Sequence, residues 1–110
     1  MIELLMVFAT ASIAATPART AVLSSASTAD FVSQCDGKAT DLTSTFCTGY
    51  IMGAFDALTL DGKVCARSKE ATTLAAIAGT RKYVADHPEQ WSENPIFIVR
   101  RALEGIFPCR

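Results

Sequence analysis

The chain has 110 residues, with 10 Lys and Arg against 11 Asp and Glu and a single histidine, for a formal net charge of −1. This length bounds it to one small domain with a limited core. So balanced a surface offers no field to gather nucleic acid or anionic lipid, which leaves a protein as the expected partner.

Residues 1–18 read as a signal peptide: Leu4-Leu5-Met6-Val7-Phe8-Ala9 and Ile13-Ala14-Ala15 are apolar but too short to span a bilayer. Ser12 and Ala14, or Thr16 and Ala18, are small enough to flank a cleavage site, although Glu3 stands where a basic residue is usual. Processing would release the chain to the periplasm with no stable membrane span. Residues 19–27 turn to Ala, Ser and Thr without periodicity, the composition of a flexible junction. The folded part is expected over 28–110.

Beyond that junction apolar residues recur at helical spacing and no stretch alternates as a strand does, so the predicted fold is all-α, a small bundle of about four short helices. Thr28 is expected to cap the first, with Phe31, Val32 and Cys35 along one face and Asp36-Gly37 as its stop. The second is predicted from about Asp41 to Leu60, ahead of Asp61-Gly62. Its core stripe would be Leu42, Phe46, Gly49, Tyr50, Gly53, Ala57 and Leu60. Each interior glycine costs a helix about 1 kcal/mol relative to alanine, so Gly49, Tyr50 and Gly53 are expected to pack closely on another helix, within the chain or in a second copy. The third helix is predicted from about Thr72 to Asp86, with Leu74, Ile77, Ala78, Val84 and Ala85 inward, Arg81 and Lys82 outward, and His87-Pro88 ending it. Asn94-Pro95 reads as a cap and first helical residue of the fourth, whose core face would be Ile96, Val99, Leu103 and Ile106 before Gly105 and Pro108 end it.

The four cysteines, Cys35, Cys47, Cys65 and Cys109, have no metal-type spacing, and an even set behind an exported leader reads as a disulfide framework. Four cysteines allow three pairings. Antiparallel helices put the start of the third beside the end of the fourth, which favours Cys65–Cys109, and the end of the first beside the start of the second, which favours Cys35–Cys47.

No catalytic, cofactor or metal constellation emerges: the chain has no Cys-x-x-Cys, no paired histidines and no phosphate loop. Asp86-His87 as a pair activating Ser92 or Ser68 has the residue types of a nucleophilic relay, but a histidine at a helix end has the simpler role of meeting the last carbonyls. Arg81-Lys82 and Arg100-Arg101 read as a solvated face rather than a cationic binding patch. Trp91, in a turn after Pro88-Glu89-Gln90, is a candidate interface anchor or a cap on the core.

Together, Cys47-x-Gly49-Tyr50-x-x-Gly53-x-x-Asp56, Cys65, Lys82-Tyr83-Val84-x-x-His87-Pro88-Glu89 and Phe107-Pro108-Cys109 resemble the Rap/Tai family of immunity proteins linked to type VI secretion. The likeness covers roughly Cys47 to Cys109. Ala66 to Glu70 lacks the proline often found there, a departure that leaves the cysteine frame intact. The resemblance implies a periplasmic helical protein, often a homodimer, that binds and blocks a peptidoglycan amidase toxin. Such an inhibitor needs a rigid shape and no reactive group. The loops held by the disulfides, with Asp61, Lys63, Glu89, Gln90 and Trp91, are the expected effector-facing surface. The rival readings are an acid-stress chaperone of the HdeA-like kind, disfavoured by the single histidine, and an orphan envelope protein of the same fold.

Overall fold

A computed structural model describes residues 5–7, 9–10, 22–35, 45–67 and 71–109. Four α-helices follow in order, α1 (Thr28–Gln34), α2 (Phe46–Leu60), α3 (Thr73–Asp86) and α4 (Pro95–Ile106), with a 3-10 turn at Pro88–Gln90; the described residues contain no strand. Both favoured disulfides are present, Cys35–Cys47 and Cys65–Cys109.

Each helix begins on a side-chain cap. The oxygens of Ser27, Thr45, Thr72 and Asn94 accept from the backbone N–H groups of Asp30, Thr48, Ala75 and Ile96, satisfying donors that the first turn leaves free. Pro95 occupies the first position of α4 as expected, where its missing N–H costs nothing. Two starts differ from the sequence reading. Ser27 rather than Thr28 caps α1, and α2 begins at Phe46 behind extended Thr45. The expected α2 start at Asp41, with Leu42, and the Asp36-Gly37 stop lie outside the described residues. Gly105 sits inside α4, which closes through Phe107 N–H on the Leu103 carbonyl, 2.8 Å away.

The core gathers Phe31 from α1; Cys47, Ile51 and Ala54 from α2; Val64; Ala76, Ile77 and Val84 from α3; and Ile98, Val99, Leu103 and Phe107 from α4 and its end. Fully burying the Phe, Ile, Leu and Val side chains among them contributes about 1.5–3 kcal/mol each. Phe31 also packs on Tyr50, with ring centroids 5.2 Å apart, and so ties the seven-residue α1 to α2.

This rotation of α2 corrects the predicted stripe. Its buried face is Cys47, Thr48, Ile51 and Ala54, while Phe46, Gly49, Gly53, Ala57 and Leu60 are exposed, Leu60 at 91%. The helix is apolar nearly all round, so periodicity permitted two registers; the Cys35–Cys47 bridge turns the Cys47 side of α2 toward α1. Smaller corrections apply to the next helices. Leu74 and Ala85 of α3 are exposed and Arg81 is buried, whereas Ile77 and Val84 face inward as expected. In α4 Val99 and Leu103 are core, joined by Ile98 and Ala102, and Ile96 and Ile106 are half-buried.

Helices α3 and α4 fold back on each other through residues 87–94. At the end away from that connection, Cys65 N–H donates to the Phe107 carbonyl at 3.1 Å beside the Cys65–Cys109 bridge. At the near end, Arg81 Nε donates to the Cys35 carbonyl at 3.1 Å and brings the end of α1 onto α3. The bundle thus has two chemically distinct ends. Among the described residues, no helix is long and apolar enough to cross a membrane.

Candidate partner-binding surface

The connection between α3 and α4 is tied down residue by residue. Trp91 Nε1 donates to the Val84 carbonyl at 2.8 Å, which stands the indole against the last turn of α3. Gln90 Nε2 donates to the Tyr83 hydroxyl at 3.1 Å, and Arg101 donates to Gln90 Oε1 at 3.0 Å. Arg101 also grips both carboxylate oxygens of Glu93, the second contact at 2.9 Å; such a bidentate pair fixes orientation as well as distance. Its guanidinium holds the Glu93 carboxyl below the usual carboxylate range. Asn94 Nδ2 donates to the Ser24 carbonyl at 3.2 Å and holds the approach to α1 against the same turn.

This turn borders a groove of about 720 Å³ between α1 and α3. Val32, Cys35, Ala78, Gly79 and Val84 line it together with Ser33, Arg81, Lys82, Ala85 and Trp91. Trp91 is 37% exposed, so it combines the two roles considered for it: its N–H is anchored inward and part of its ring faces out. Glu89 is exposed beside it and Gln90 is half-buried, its amide engaged by Tyr83 and Arg101.

Asp61 and Lys63 are also exposed, but at the opposite end of the bundle. Their turn relies on Gly62 at φ 69°, a left-handed conformation that suits glycine, and on Lys63 N–H donating to the Leu58 carbonyl at 2.9 Å. The fourteen residues of α3 put about 20 Å between the two ends. The five predicted interface residues therefore form two separate surfaces.

Asp86 and His87 do not form a relay. The Asp86 carboxylate takes a hydrogen bond from Lys82 Nζ at 2.5 Å, which together with the lysine charge lowers its pKa. His87 Nδ1 lies 2.7 Å from the Tyr83 carbonyl, and its ring stacks on Tyr83 with centroids 3.9 Å apart. Ser92 is exposed, and Ser68 lies outside the described residues. The four cationic residues do not make a patch either. Arg81 is 6% exposed at the end of α1, Lys82 pairs with Asp86, Arg100 with Glu104, and Arg101 with Glu93.

The glycines of α2 correct the expected contact within the chain. A Cβ built on Gly49 or Gly53 meets nothing within 4 Å, so none of the described helices approaches there. Tyr50 does pack, half-buried between Phe31 and Phe46, and burial pushes its phenol pKa up. Among the described glycines, Gly79 is the one in close contact: a Cβ there would stand 2.5 Å from Ile106 Cδ1. The sequence did not single out Gly79, showed Tyr83 only as part of the family motif, and showed Arg101 only as part of a solvated face. For Arg101 a signal existed: Asn94-Pro95 fixes the start of α4 and so places Arg101 less than two turns beyond it, within reach of Glu93.

A family model described as Rap1a immunity proteins matches residues 27–109. No curated protein and no solved structure matches the chain.

Proposed function

The chain belongs to the Rap1a immunity protein family, and from that premise we propose that it binds and inhibits a peptidoglycan amidase toxin delivered by type VI secretion. One observation carries the reading: the family match, over residues 27–109, spans all four helices and both disulfides. The partner of an immunity protein is a toxin protein. The periplasm is the proposed place of action, because structural disulfides persist in oxidising compartments and residues 1–18 have the apolar character of an export signal.

The proposed toxin-facing surface is the α3–α4 end, with Trp91 as anchor and Glu89 and the groove beside it. The hydrogen bonds that hold Gln90, Trp91, Glu93 and Asn94 favour this end over the Asp61–Lys63 turn, because a surface ordered beforehand loses little freedom on binding. A homodimer would use the exposed α2 face, where Phe46, Gly49, Gly53 and Leu60 leave apolar surface open and let a second helix approach closely.

The test is to co-express the chain with the amidase toxin encoded nearest its gene, both directed to the periplasm. Survival with the chain and lysis without it are expected. Lysis in both cultures, with the oxidised protein present in the periplasm, would overturn the proposal.

A further inference from the structure

The two disulfides present very different targets to an attacking thiolate. Cys47 is fully buried in the core beside Ile51, and Cys35 is half-buried with its carbonyl under Arg81. Cys65 and Cys109 are both exposed, one in the connection after α2 and the other beyond the end of α4. Thiol–disulfide exchange proceeds by attack of a thiolate on a disulfide sulfur, so access strongly affects its rate.

What flanks the exposed bridge also holds independently of it. Val64, next to Cys65, is buried, and Phe107, two residues before Cys109, is buried against Phe55 with ring centroids 5.4 Å apart. The hydrogen bond from Cys65 N–H to the Phe107 carbonyl needs no sulfur. Opening the bridge would leave these anchors seated and both cysteines close together.

We propose that Cys65–Cys109 is a redox latch, opened by a dithiol and re-closed by a disulfide oxidant on the folded protein while Cys35–Cys47 remains shut. One thiolate of the dithiol attacks Cys65 or Cys109 Sγ, breaking the S–S bond and forming a mixed disulfide; the released cysteine takes up a proton. The second thiol of the reductant loses its proton and attacks its own sulfur in that mixed disulfide, and the other cysteine leaves and is protonated. Two electrons pass to the protein's disulfide, and the reductant departs as its own disulfide. The opened latch frees Cys109 beyond the seated Phe107, while the Trp91 end, about 20 Å away, keeps its structure.

The test treats the oxidised full chain with rising dithiothreitol without denaturant, then quenches with acid, alkylates and maps the labelled cysteines by mass spectrometry. Labelling of Cys65 and Cys109 is expected at about tenfold less reductant than labelling of Cys35 and Cys47. Trp91 fluorescence and helical circular dichroism should be unchanged at that point, and oxidised glutathione should restore the bridge. Simultaneous labelling of all four cysteines, or earlier labelling of Cys35 and Cys47, would overturn the latch. So would a shift of Trp91 emission to that of the unfolded chain as the first pair opens.

Discussion

Arg81 shows how one side chain closes a junction between helices. It is buried where α1 ends, and its Nε donates to the Cys35 carbonyl, an acceptor left free by the helix terminus. A hydrogen bond from a charged donor contributes about 1.5–3 kcal/mol. Arg81→Met should therefore lower the thermal midpoint by about 10 °C, measurable by circular dichroism. Glycines give a second prediction at this scale. Gly49→Ala and Gly53→Ala should each stabilise the monomer by up to about 1 kcal/mol, since the added methyl meets none of the described residues within 4 Å. Gly79→Ala should stabilise it less than either, because the same gain in helix propensity is offset by the shift that the Ile106 side chain must make; urea titration separates the two outcomes. The sequence drew attention to Gly49 and Gly53 because they fall on an apolar stripe of α2. Whether a glycine faces a neighbour depends on helix rotation, which an all-round apolar helix leaves undetermined. Arg81 was misread for a related reason, since one group it meets is the Cys35 backbone carbonyl, 46 residues away, and a carbonyl leaves no mark in the sequence.

At the scale of elements, caps and cysteines made most of the fold legible. Asn94-Pro95 marked the start of α4, and the back-and-forth course of the helices singled out the two bridges that form. The turn between α3 and α4 was visible as a turn, but the network holding it was not, because it joins Tyr83, Gln90, Glu93 and Arg101 across two helices. Arg101→Ala should leave the helices intact and speed hydrogen exchange at the amides of residues 89–94, read by mass spectrometry. Two exposed pairs also set a pH dependence. Asp86 and Glu93 have lowered folded pKa values, through the hydrogen bonds from Lys82 and Arg101 first of all. Their stabilisation is complete above the unfolded carboxylate range of about 4 and is lost as pH falls through the folded values. Thermal midpoints should therefore drop below about pH 4, and less steeply in a Lys82→Ala, Arg101→Ala double variant. An equally steep drop in that variant would assign the acid sensitivity to other groups.

At the scale of the whole molecule, the bundle separates its surfaces. Charges on α3 and α4 are paired in place, α2 shows an open apolar face, and the two candidate loops lie at opposite ends. That separation was not legible in the sequence, where Lys63 and Trp91 read as parts of one surface; it follows from the path of α3 between them. The toxin-binding account assigns the Trp91 end to the partner and leaves the Asp61–Lys63 end outside the contact. Titrating the oxidised protein against the amidase toxin encoded nearest its gene, by calorimetry together with peptidoglycan hydrolysis, tests this directly. The account predicts stoichiometric inhibition, a loss of affinity of about thirtyfold or more in a folded Trp91→Ala variant, and unchanged affinity in Lys63→Ala. Full hydrolysis in the presence of excess oxidised protein, or wild-type affinity in Trp91→Ala, would contradict it.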